Sequence, residues 1–197
     1  MIAGVRRQLI PAIVAFLAFT VLVGLLYPLA ITGIAQVAFS SQADGSLVKH
    51  GSKVVGSSLI GQDFSAPEYF HPRPSSAGDG YDAMSSSASN LGPSNPEFLR
   101  GVRERIRQYR AENSLAPSQE IPADAVMGSG SGLDPMISPE NARLQARRVA
   151  DARGISLDEV MALVSANTSG RSLGFLGEPG VNVLELNIAL DQEASLR

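Results

Sequence analysis

The 197-residue chain has no cysteine and no tryptophan, and only two histidines and two lysines. Without cysteine there can be no disulfide framework and no thiolate metal site. That absence fits either side of a membrane. His50 and His71 are two separated imidazoles, short of the three or four ligands a metal wants, so surface or loop hydrogen bonding is the expectation for both. The two lysines, Lys49 and Lys53, do not follow a glycine-rich turn into a helix, which removes a phosphate-binding P-loop. Charge is also missing from one long stretch, since no Asp, Glu, Lys, Arg or His stands between Leu9 and Phe39. Of the sixteen basic residues, Arg6 and Arg7 precede that stretch, leaving fourteen against nineteen carboxylates in the remainder. This mildly acidic balance gives no reason to expect nucleic acid as a partner.

What fills the uncharged stretch is apolar. "PAIVAFLAFTVLVGLLYPLAITGIAQVAF" has Thr20, Thr32 and Gln36 as its notable polar side chains. About 20 such residues cross a hydrocarbon core. A transmembrane helix over 12–35 is expected, with Pro28 bending it, and residues 1–11 form a short cytoplasmic N-terminus. The apolar core of a cleaved signal peptide runs about 7–15 residues. This one is about twice as long, so it reads as an uncleaved anchor in a lipid bilayer. Arg6, Arg7 and the α-amine flank its start, which by the positive-inside rule leaves residues 44–197 outside the cytoplasm.

That outer part reads as an α+β domain. "GSKVVGSSLIGQDFS" carries the apolar pairs Val54–Val55 and Leu59–Ile60, a short hairpin or two edge strands. A long loop at about 66–96, rich in proline, serine and glycine, is too long for an ordinary connection. Its aromatics Tyr69, Phe70 and Tyr81 favour packing against something. Asn95-Pro96 starts a helix with Leu99, Val102, Ile106 and Tyr109 on one face. The arginines on the remainder of that helix read as a solvated face. A short strand is expected near Ala125–Met127. Ser138-Pro139 starts a second helix that stops at Gly154, and "SLDE" from Ser156 is a capping box for a third, with Leu157, Val160, Leu163 and Val164 facing inward. In "VNVLELNIALD", Leu184, Leu186, Ile188 and Leu190 alternate with polar residues, the pattern of a half-buried strand.

Two motifs invite a chemical reading. "GSGSGLDPMISP", 128–139, offers glycines ahead of a helix, but Leu133 stands where a dinucleotide fingerprint needs its third glycine. "GRSLG", 170–174, matches a nucleophile elbow around Ser172, yet that motif requires a strand before it and a helix after it. Here a helix precedes and a Gly/Pro-rich segment follows. No acid/base pair is nominated by the scattered carboxylates.

As a set the same motifs are informative. The span is followed in order by "GSSLIGQDFSAPEYFHPRPSS", "SNLGPSNPEF", "SGSGLDPMISPENARLQARRVADARGISLDEV" and "GRSLGFLGEPGVNVLELNIALD". From end to end this resembles the C chain of the bacterial Kdp-type potassium-transporting ATPase. Met136 stands where many relatives carry His, and Gly180 where a basic or other residue is often seen. The resemblance implies an inner-membrane complex of a channel-like potassium-translocating chain, a P-type ATPase chain, a very small accessory chain and this one. The phosphorylation sequence Asp-Lys-Thr-Gly is missing, so this is not the hydrolysing subunit. The family role is assembly and a catalytic-chaperone effect that raises ATP affinity of the pump chain. No cofactor of its own is implied, ATP and potassium being handled by the complex. Contact residues expected on this reading are Thr20, Gly24, Thr32 and Gly33 in the span, and Tyr69, Phe70, His71 and Arg73 in the long loop. The alternatives from other classes are a membrane-anchored solute-binding domain and a hydrolase using Ser172.

Overall fold

The structure, a computed structural model, describes residues 2–195. Of the charges that flank the span, the Met1 amine and the Arg6 side chain lie outside what is described, as do Leu196 and Arg197 at the end of the chain. The chain divides into two compact units, Met1–Leu47 and Val48–Arg197.

The first unit is helical. α1 (Ile2–Val21) leads through a π-helical turn (Leu22–Leu26) into α2 (Tyr27–Ala38), followed by the single turn α3 (Ser40–Ala43). Arg7–Ala38, 32 residues, is long and apolar enough to cross a membrane. At 1.5 Å per residue it measures about 48 Å, more than a hydrocarbon core of about 30 Å needs. The expected irregularity at Pro28 falls just ahead of it. Proline has no amide to offer the carbonyl of Gly24, and the Tyr27 amide donates to Leu22 O, five residues back, which widens the turn before the ring.

The second unit mixes helices and sheet. β1 (Leu47–His50) and β2 (Lys53–Ser57) form a two-stranded sheet, and Leu59–Ile60, expected in it, lie in a turn beyond its edge. α4 (Pro96–Glu112) starts where Asn95 Oδ1 accepts from the Glu97 and Phe98 amides. α5 (Pro139–Arg153) starts at Ser138, whose hydroxyl accepts from Asn141 N, and ends on left-handed Gly154. α6 (Leu157–Ala166) opens with the capping box of Ser156 and Glu159. Each of these helices begins where its capping residues predict. β3 (Met136–Ile137), β4 (Thr168–Ser169) and β5 (Gly180–Asn182) form an antiparallel sheet in the order β3-β5-β4, with Ile137 and Thr168 both opposite Val181.

Two elements differ from the sequence reading. Ala123–Ala125 is a 3-10 turn where a strand was expected, its Asp124 carboxylate receiving the Ser138 amide at 2.7 Å and hydroxyl at 2.9 Å. The "VNVLELNIALD" segment is a helix, α7 (Val183–Ser195). Asn182 is its cap, accepting from Glu185 N at 3.2 Å. Val183, Leu186, Asn187 and Leu190 are buried at helical spacing. The main core joins α5, α6 and α7 to this sheet through Val149, Val160, Val181, Leu186 and Leu190. A smaller cluster under α4 holds Tyr109, Ala125 and Val126, while Leu99, on the same expected face, stays exposed. In α6 Val160 and Val164 are buried, Leu163 packs part-buried against the same core, and Leu157 is exposed.

Candidate partner-binding site

The long segment between β2 and α4 has no regular structure, yet buried side chains hold it. Asn187, on α7, accepts from Phe70 N at 2.8 Å and donates to Phe70 O at 3.0 Å. Gln145, on α5, does the same for the next residue, accepting from His71 N at 2.7 Å and donating to His71 O at 3.0 Å. Each amide thus replaces a neighbouring strand for one residue. Both are buried, so their polar atoms must be satisfied there. Arg148 donates to the Tyr69 carbonyl at 2.9 Å and to Asn113 Oδ1 at 3.0 Å, and burial lowers its pKa. Arg153 donates to Glu68 O at 2.6 Å, pairs with Asp191 at 2.8 Å and lies 4.9 Å over the Tyr69 ring.

The glycine-rich segment straps the later part of the loop. Ser131 O accepts from Ser87 N at 3.0 Å and from the Ser86 hydroxyl at 2.9 Å. Gly132 takes φ +69°, and a Cβ there would stand 2.5 Å from Ser87 O and 2.7 Å from Ala77 N. Its lack of a side chain is therefore explained by backbone contact. The strap leads into strand β3, so the amides are not gathered at a helix start as a phosphate cradle requires. Ser172 sits on a turn whose backbone bridges to Leu176, with no strand-to-helix elbow around it.

The expected loop contacts separate into different roles. Phe70 is fully buried and offers no surface to a partner, because both its ring and its peptide unit are taken up by the domain. Tyr69 is part-buried, its hydroxyl donating to Asp191 at 3.1 Å; burial, then Asp191, raises its pKa. Arg73 pairs with Asp134 at 2.7 Å. His71 Nε2 donates to Ala66 O at 3.1 Å, while Nδ1 lies 3.8 Å from Glu112. Burial and the Arg148 charge push the His71 pKa down, outweighing Glu112 and Asp63, which push it up. Asp63, His71, Tyr81, Arg105, Glu112 and Gln145 line an open polar cleft. Burial, with Asp63 adding to it, raises the Tyr81 pKa, so the phenol is a neutral hydrogen-bond donor, here to Arg73 O. Among the described residues no cluster of three or more carboxylate or imidazole groups is arranged to hold a metal ion.

In the span, Thr20 donates its hydroxyl to Phe16 O at 2.8 Å, which satisfies it within the helix. Gly24 lies inside the π-turn, and Thr32 and Gly33 lie on α2, all exposed on the isolated chain. Sequence reading missed Asn187, Gln145 and Arg148, the residues that hold the loop. A buried amide leaves no local pattern beyond its place at helical spacing among apolar neighbours.

The two unusual positions meet in space. Met136 lies over Gly180 on the neighbouring strand, its Cε 2.9 Å from where a Gly180 Cβ would stand. The long side chain on β3 occupies room that the glycine on β5 leaves open.

Comparison with known proteins covers nearly the whole chain. The model of the family described as "K+-transporting ATPase, c chain" matches residues 9–192. The potassium-transporting ATPase KdpC subunit of Mycobacterium tuberculosis is 58% identical over 187 residues, 95% of this chain and 99% of that protein. The subunits of the same name from Beijerinckia indica and Caulobacter vibrioides are each 58% identical, covering 92% of this chain and 91% of theirs. With one long apolar helix, a mixed helix-and-sheet domain and that match, the chain belongs to the KdpC family, the accessory c chain of a potassium-transporting ATPase whose ATPase activity resides in another chain.

Proposed function

We propose that this chain promotes assembly of the potassium-transporting ATPase by holding two of its partners at once, through the span and through the outer domain. The family match over residues 9–192, which includes both units, carries this reading. The partners are a channel-like potassium-translocating chain, a P-type ATPase chain and a very small membrane chain. The N-terminus lies in the cytoplasm and the domain from Asp44 onward outside the inner membrane. The polar side chains of the domain support this division of labour. Asn187, Gln145, Arg148 and Arg153 are committed to fixing a loop, which shapes a surface without supplying a reaction. The chain carries no cofactor of its own. ATP and potassium are handled by the partner chains, and a rise in ATP affinity of the pump chain reaches it through the span or the neighbouring subunits.

The test is purification of the tagged full-length chain from membranes in mild detergent. The expected outcome is retention of the channel-like and P-type chains. Recovery of the chain alone, while those chains are present in the membrane, overturns the reading. Protease added to spheroplasts is expected to cleave the outer domain, and protection of that domain overturns the orientation.

A further inference from the structure

One part of the domain faces outward without a partner of its own. From β4 and β5 the chain continues as a hairpin, and every residue from 169 to 178 is exposed. Its tip carries Leu173, Phe175 and Leu176, which are 83%, 68% and 50% exposed. The hairpin is nonetheless well defined. Ser172 and Leu176 exchange backbone hydrogen bonds, both 2.9 Å, and Phe175 N donates to Ser172 O at 3.3 Å. Arg171 and Glu178 pair at 2.6 Å across its base.

The tip is held in a costly conformation. Leu173 has φ +54° and Gly174 φ +81°, so both central residues of the turn lie in the left-handed region. Glycine takes that region freely and Asn or Asp tolerate it, whereas a leucine rarely does. A leucine there is strained, and exposing it to water adds a second penalty. Both are explained if the side chain is needed at that place and is covered in the working state.

We propose that Leu173, Phe175 and Leu176 form a docking tip that inserts into an apolar recess on the outer surface of a membrane-embedded chain of the same complex. This rests on the assembly role proposed above. Three side chains cover far too little area for a second copy of the chain to form a stable dimer through them. The lipid surface fits poorly as well. The tip has neither tyrosine nor tryptophan, the residues that favour the bilayer interface, and the Arg171 charge is already paired with Glu178. A small apolar anchor with a charge-paired collar matches the centre of a protein interface, where a few side chains carry most of the binding. Its small area is sufficient because the span already tethers the domain beside its partner.

The experiment replaces Leu173 or Phe175 with photoreactive p-benzoylphenylalanine in the full-length chain, within the complete complex in membranes. Irradiation is expected to yield a covalent adduct with a membrane-embedded transporter chain. In parallel, the Leu173→Ser/Phe175→Ser variant is expected to lower retention of the chain on the complex by about 10-fold or more, with its thermal midpoint unchanged. Adducts confined to lipid or to a second copy, or unchanged retention, overturn the proposal. If the wild-type chain retains its partners while neither position cross-links to them, the docking tip alone fails. If the wild-type chain retains no partner, the assembly role fails with it.

Discussion

The segment around Tyr69–His71 and the hairpin at 170–178 invert the usual relation between regular structure and burial. The first has no helix or strand, yet Phe70 has no exposed surface and two buried amides bond both backbone polar groups of successive residues. The second has a bridged, hydrogen-bonded turn, yet three large apolar side chains project into solvent. Backbone pairing therefore does not reveal which segment the fold depends on. Side-chain anchorage does, and it predicts that substitutions in the irregular segment damage stability while substitutions in the regular one do not.

The largest effect is expected at the Phe70 ring. Phe70→Ala removes a fully buried side chain from the main core, at a cost of about 4 kcal/mol. Thermal unfolding of the full-length chain in detergent, followed by near-ultraviolet circular dichroism, measures it. A loss below about 1 kcal/mol would mean that the site collapses around the gap and that the loop is not part of the core. Asn187→Leu comes next. It keeps the branching of the side chain but leaves the Phe70 amide and carbonyl unpaired, a loss of about 3 kcal/mol from two buried groups. If Asn187→Leu proves as harmless as a surface change, the amide clamp is not what orders the segment.

Legibility in the sequence follows the same division. α4, α5 and α6 announce themselves through Asn95-Pro96, Ser138-Pro139 and Ser156–Glu159, because capping chemistry is local. α7 was hidden by one residue. Counting Asn187 as polar and outward makes Leu184, Leu186, Ile188 and Leu190 alternate like a strand. Counting it as buried reveals Val183, Leu186, Asn187 and Leu190 as a helical stripe behind the Asn182 cap. The amide is inside because Phe70, more than a hundred residues earlier, supplies its partners. No window along the chain contains both. The long loop was legible as something packed, through its aromatics, but the residues that fix it were not. The hairpin presents the converse case. "GRSLG" is visible as a motif, and only its geometry shows that leucine occupies a left-handed position.

The hairpin sharpens the contrast with a small expected number. Leu173→Ser and Phe175→Ser should each change unfolding free energy by less than about 0.5 kcal/mol, as surface substitutions do. Leu173→Gly should be neutral or slightly stabilising, since glycine takes φ +54° without strain. A destabilisation above about 1 kcal/mol at either position would show that the tip supports the domain itself, contrary to its exposure.

The smallest effect belongs to His71, at the edge of the anchored segment. Burial and Arg148 hold its pKa below the ordinary value of 6.5. On acidification the unfolded chain therefore takes up this proton before the folded one does. Stability from this source is complete above about pH 6.5 and is lost as pH falls from there towards the folded-state pKa, below which it levels off. Wild-type stability, measured by urea unfolding between pH 7.5 and 5, should fall in that window, and His71→Gln should flatten part of the fall. Glu112 and Asp63 oppose the shift, so their removal should steepen it, because a lone imidazolium in the cleft loses its nearest counter-charges. Identical pH profiles for wild type and His71→Gln would show that the imidazole reaches water freely, and that anchorage by Gln145 ends at the His71 backbone.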